Sequence, residues 1–152
     1  MCGEVEFACD IKTNPLKIYQ CHCTLCKKQT GSSSNSATII PIEKFEWIKE
    51  GTIKRWRKET GFNAHFCETC GSPVPNTFAN KFTWIPAGLL NLNDKMYTIE
   101  VVAHFCLSTK SSWHIIDSDA QQFDALPEFK TLLNVLEYVG RVPIWIMRLK
   151  MR

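Results

Sequence analysis

The chain has 152 residues, 45% hydrophobic, 11% aromatic and 22% charged. That fits one domain of ~100–150 residues and excludes a disordered chain. No run approaches the ~18–20 apolar residues of a membrane-spanning helix. The opening Met1-Cys2-Gly3-Glu4-Val5-Glu6 has neither the basic nor the apolar region of a secretory signal, so a cytoplasmic protein is expected. The net charge of +3 is a property of one end: Arg141, Arg148, Lys150 and Arg152 lie in a stretch without acids, and the remainder holds 14 basic and 15 acidic residues. Such a body speaks against nucleic acid as a partner.

Glu4 to Ala8 alternates polar and apolar residues, as does Leu16 to Gln20, with Asn14-Pro15 between them. Period two predicts half-buried strands, and the spacing predicts a hairpin leading into the first thiol cluster. Gly31 to Ser36 has no apolar residue and reads as a loop. Strands are expected at 37–42, 45–48, 52–57, 82–87 and 99–107. One helix is expected late: Phe129, Leu132, Leu133, Leu136 and Val139 share a face at period 3.6, and Gly140 would end it. The fold class predicted is mainly β, with many short strands and a C-terminal helix.

Eight cysteines are many for such a chain, and their spacing matters more than their number. Cys67-x-x-Cys70-Gly71 lets two thiolates turn back onto one ion, with glycine free to take the positive φ of such a turn. A redox CxxC would expect a βαβ context, which the surrounding pattern lacks. Cys21-x-Cys23-x-x-Cys26 offers three thiols, leaving one position of a zinc tetrahedron. That position is either open, as in catalytic zinc, or closed by a distant residue, as in structural zinc; spacing alone leaves both standing. His22, between two ligands, should face away and belong to the surroundings. His65 and His104 sit in apolar strand contexts and read as hydrogen-bonded core residues. Cys9 and Cys106 read as small core residues.

Together these residues resemble the CENP-V/GFA family, named for centromere protein V and the glutathione-dependent formaldehyde-activating enzyme. The resemblance rests on Cys2-Gly3-Glu4-Val5-Glu6-Phe7, on Cys21 to Gly31, on Phe45 and Trp47, on Phe66 to Ser72 and on Gly88-Leu89-Leu90. It continues in His104, Ser108 to Trp113, Asp117 and Leu126 to Phe129. Three departures stand out. A further family cysteine would fall before Met1, Thr109 is inserted in the Ser-Lys motif, and residues 141–152 match nothing in the pattern. A domain at 1–140 with a basic, apolar tail at 141–152 is therefore expected.

The resemblance implies an Mss4-like fold of twisted antiparallel sheets pinned by one or two Zn2+ ions. It implies a structural zinc at Cys2, Cys67 and Cys70, and an accessible, catalytic zinc at Cys21, Cys23 and Cys26. The first ligand set would lack its fourth member, and Cys9 would lie ~23 Å from Cys2 along a straight strand, too far to supply it. The resemblance also implies a carbon–sulfur lyase acting on an adduct of a small thiol such as glutathione with formaldehyde. Lys27 and Lys28, following the third ligand, would attract that anionic thiol. A non-catalytic zinc-stabilised binding module is the alternative, and a chromatin-associated protein like the centromeric relatives is a further rival that the near-neutral body disfavours.

Overall fold

The computed structural model describes residues 1–11, 15–90, 98–137 and 148–150. In chain order the elements are β1 (Val5–Asp10), β2 (Leu16–Cys21), α1 (Thr24–Thr30), β3 (Asn35–Pro41), β4 (Phe45–Glu50), β5 (Ile53–Arg57) and β6 (Asn63–Cys67). They continue with β7 (Asn76–Phe78), β8 (Phe82–Pro86), β9 (Ile99–Phe105), β10 (Gln121–Gln122), α2 (Phe129–Val135) and β11 (Arg148–Lys150). The fold is mainly β, as the pattern predicts. Three sheets form, with strand orders β11-β1-β4, β10-β9-β2-β3-β8-β7 and β5-β6.

The expected β1–β2 hairpin is not formed. β1 pairs with β4 and β11, whereas β2 pairs antiparallel with β3 and parallel with β9. The physical reason lies in the core. Phe7, Cys9 and Ile11 from the β1 segment pack against Leu16, Ile18, Ile40 and Ile85 from the six-stranded sheet. Face-to-face packing removes this apolar surface from water, which ladder pairing between the two strands would not. Part of the turn joining them lies outside the described residues.

The six-stranded sheet is mixed rather than antiparallel, because β9 runs parallel to both β2 and β10. A parallel pair requires a long crossover, and here residues 22–98 provide it. A second core lies on this sheet. Tyr19, Ala37, Ile39, Ala103 and Phe105 pack there beneath Leu132, Val135 and Leu136. Phe129 is partly exposed, yet its ring centroid sits 5.7 Å from Phe78 and 5.4 Å from Phe82.

α2 thus buries the face that its periodicity predicts, but it ends early. Leu136 is its cap and Glu137 takes a left-handed φ of 56°, three residues before the glycine expected to do so. Val139 and Gly140, and with them the boundary between domain and tail, lie outside the described residues. Arg148–Lys150, from the tail segment, adds a strand to β1, with Cys9 opposite Leu149. No helix among the described residues is long and apolar enough to cross a membrane.

Gly51 marks where the first and third sheets meet the N-terminus. Its φ is +29°, and a Cβ there would lie 2.3 Å from the carbonyl oxygen of Glu4. Only glycine admits that approach, and it seats Val5 opposite Glu50, three residues from Cys2.

Candidate metal centres

The first thiol group forms where the N-terminus crosses the end of β6. Cys2, Cys67 and Cys70 bring their sulfurs within 4.8 Å of one another, with Cys2 Sγ 3.6 Å from Cys67 Sγ. The loop after β6 closes on itself: Gly71 N donates to Cys67 O, and Cys67 N donates to Ser72 O, both at 2.9 Å. Gly71 has φ +70°, the turn expected from a glycine after the second cysteine. Cys67 is buried beside Val5 and Val74, while Cys2 is exposed. Hydrogen bonding from the Ser72 backbone, and then from the Cys2 thiol, draws the Cys70 thiol down to about 7.

The second group forms where β2 gives way to α1. Cys21 ends the strand, Cys23 caps the helix by accepting from Cys26 N at 3.4 Å, and Cys26 lies in the first turn. Their sulfurs also lie within 4.8 Å of one another. α1 has seven residues and ends at Gly31, which is left-handed. The sequence pattern does not announce this helix, since about two turns show no clear periodicity; Gly31 and the two lysines before it are the available signal. The Cys26 thiol donates toward Cys21 and pulls the latter down to about 6, while Cys26 itself is driven far up.

Both groups suit zinc. A tetrahedron with Zn–S of ~2.3 Å has sulfurs ~3.8 Å apart along each edge, and 3.6 Å at Cys2–Cys67 is close to that. Soft thiolates with little competing oxygen select zinc over magnesium or calcium. Cys9 belongs to neither group; it is buried in the core with Phe7 and Ile11, and burial raises its thiol to about 12.

Cys106 is more than the small core residue expected. It is partly exposed, and its sulfur lies 3.9 Å from that of Cys21. Its backbone is left-handed, with φ 61°. The parallel register of β2 and β9 places it there: Cys21 pairs with Phe105, and Cys106 follows. Sequence separation of 85 residues hid this neighbour.

Behind the second group lie three histidines. His22 is fully buried and is not among the grouped ligand atoms of Cys21, Cys23 and Cys26. Its Nδ1 donates to Ser33 O at 3.3 Å, since a carbonyl can only accept. In neutral His22 the Nε2 is then the acceptor, so His104 Nδ1 donates to it at 3.1 Å. The remaining nitrogen of His104, Nε2, is a buried acceptor without a partner among the described residues. Burial lowers the pKa of both rings, and each lies beside another histidine, which lowers it further. The His114 ring sits 5.2 Å from that of His22, and a cleft of about 310 Å³ opens beside His104, His114 and Asp117. His65, by contrast, is half-buried on β6 opposite Arg55.

Lys27 and Lys28 occupy the last turn of α1. Lys27 Nζ donates to Thr109 O at 2.6 Å, tying the helix to the loop after Cys106, and Lys28 is exposed. Thr109 Oγ1 also donates to His22 O at 3.2 Å. The inserted threonine thus links the two loops that meet over the thiols.

The sequence profile of glutathione-dependent formaldehyde-activating enzymes matches residues 1–108. The chain belongs to that family. The match spans both thiol groups and Cys106. Among solved structures, that of a Rhodobacter sphaeroides protein is similar, at 16% identity and a TM-score of 0.49, covering 64% of this chain and 93% of that one. No curated protein matches the chain.

Proposed function

We propose that this chain is a zinc-dependent enzyme of carbon–sulfur lyase type, acting on the adduct of a small thiol with formaldehyde. The single observation that carries this reading is the grouping of Cys21, Cys23 and Cys26 within 4.8 Å. These three thiols would hold a zinc ion and leave one coordination position for substrate. When bound, zinc supplies a Lewis acid that lowers a thiol's pKa or polarises a carbonyl oxygen.

The chain's own residues support that chemistry. β2 and α1 fix the three sulfurs without flexible linkers. The buried His22–His104 pair holds the ligand loop from behind through Ser33. Lys28, exposed beside the third ligand, offers a cation to a carboxylate of the thiol substrate; Lys27 is engaged with Thr109 and serves the loop instead. Cys2, Cys67 and Cys70 are assigned the structural zinc.

The test pairs metal analysis with formaldehyde consumption across several thiols, glutathione among them. Thiol-dependent consumption is expected from metal-replete protein and is abolished in Cys23→Ser that remains folded. Metal-replete, folded protein that consumes no formaldehyde with any thiol would overturn the reading.

A further inference from the structure

A fourth thiol borders the Cys21/Cys23/Cys26 group. Cys106 Sγ stands 3.9 Å from Cys21 Sγ, close to the ~3.8 Å edge of a tetrahedron of sulfurs around zinc. Yet Cys106 is outside the set whose sulfurs all lie within 4.8 Å of one another. It is beside the centre rather than seated over it. The backbone at Cys106 is left-handed, a conformation strained for a residue with a Cβ. Strain of this kind persists where the surroundings over-determine it. Here they do: Thr109 N and Thr109 Oγ1 both donate to Cys106 O at 3.1 Å, while Thr109 Oγ1 also reaches His22 O. The strained turn holds a thiol against a metal-ligand sulfur from a strand 85 residues away.

We propose that Cys106 is a displaceable fourth thiolate of this centre, swinging from its place beside Cys21 to close the coordination shell until a substrate thiol takes its place. The proposal rests on reading Cys21, Cys23 and Cys26 as a metal centre. In the exchange, the incoming thiol gives up its proton as its sulfur binds, and the departing Cys106 sulfur takes one up. Charge and oxidation state are unchanged, and no further reagent is needed. Displacement by an internal ligand also gives the site selectivity, since water is a poorer competitor than a second thiol.

Cadmium-113 NMR of the full chain tests this, because cadmium takes thiolate ligands and its chemical shift reports how many sulfurs bind. Two resonances are expected from the loaded protein, and the one lost in Cys23→Ser belongs to this centre. That resonance should move upfield in Cys106→Ala and in Cys106→Ser, while the other stays fixed. Glutathione should bind about tenfold more tightly to the Cys106 variants, as expected if Cys106 holds the position nine-tenths of the time. If neither variant moves either resonance, the proposal is wrong. A moved resonance with unchanged glutathione affinity would make Cys106 a permanent ligand and overturn displacement. The activity reading is judged separately: a moved resonance without formaldehyde consumption sinks the enzyme and leaves Cys106 a ligand. Consumption with unmoved resonances does the reverse.

Discussion

The two thiol groups use the same three side chains to different structural ends. Cys2, Cys67 and Cys70 join the N-terminus to the β6 knuckle across 65 residues, and among the described residues the apolar cluster around them holds only Val5, Cys67 and Val74 at its buried centre. Cys21, Cys23 and Cys26 lie within six residues, and they border the core formed by Tyr19, Ile39, Ala103, Phe105 and α2. In the first place a metal would substitute for a missing core. In the second the core exists without it, so a metal there would not be needed to hold the fold. Under the proposed function, chain topology rather than ligand identity would separate a staple from a reactive site.

Breaking the first group should therefore have the largest effect. Cys67→Ala or Cys70→Ala is expected to yield aggregated or unfolded protein, since a structural zinc contributes ~10 kcal/mol or more against a net stability of ~5–15 kcal/mol. Solubility and thermal melting read this out, and a soluble Cys70→Ala with an unchanged melting temperature would erase the distinction. Cys23→Ser should lose one metal equivalent and keep its β-sheet circular dichroism. Global unfolding of that variant would make the second group a staple as well.

A finer probe leaves the thiols alone. Gly51→Ala drives a Cβ against the Glu4 carbonyl and should cost ~2–4 kcal/mol from overpacking together with backbone strain. Gly71→Ala, where no atom lies within 4 Å of the added Cβ, should cost only the ~1–2 kcal/mol of strain. Urea midpoints compare the two, and equal losses would mean that the β1–β4 approach does not seat Cys2. Smallest of all, Thr109→Val removes the hydroxyl donor shared between His22 O and Cys106 O and should cost ~0.5–1.5 kcal/mol by chemical denaturation. A loss above 3 kcal/mol would show that the 106–110 loop supports the fold rather than the site alone.

Local chemistry was legible in the sequence and long-range geometry was not. Cys67-x-x-Cys70-Gly71 and Cys21-x-Cys23-x-x-Cys26 carry their grouping in their spacing. The face of α2 is legible for the same reason, since Leu132, Leu133 and Leu136 repeat at the helical period. The β1–β2 hairpin was misread because alternation reports that a strand is half-buried without reporting its partner. The early end of α2 escaped because nothing local marks Glu137 as the left-handed residue. Arg148–Lys150 and Gln121–Gln122 are too short to show a period. Cys106 escaped because its place beside Cys21 is created by a parallel pairing between distant segments, which no local pattern encodes.

That pairing has a consequence for how the protein is made. Leu16 meets Ile99 in the register of β2 and β9, so about 83 further residues must be synthesised before the edge of β2 is covered. At ~5–20 residues per second, a ribosome needs roughly 4–17 s for that stretch. β3 emerges early and can zip onto one side of β2, but the other side waits with its backbone groups unpaired beside apolar residues such as Leu16 and Ile18. An open edge of this kind templates association between chains. The nascent protein is thus most exposed to self-association in the interval before β9 arrives, and slower translation through residues 22–98 lengthens that interval.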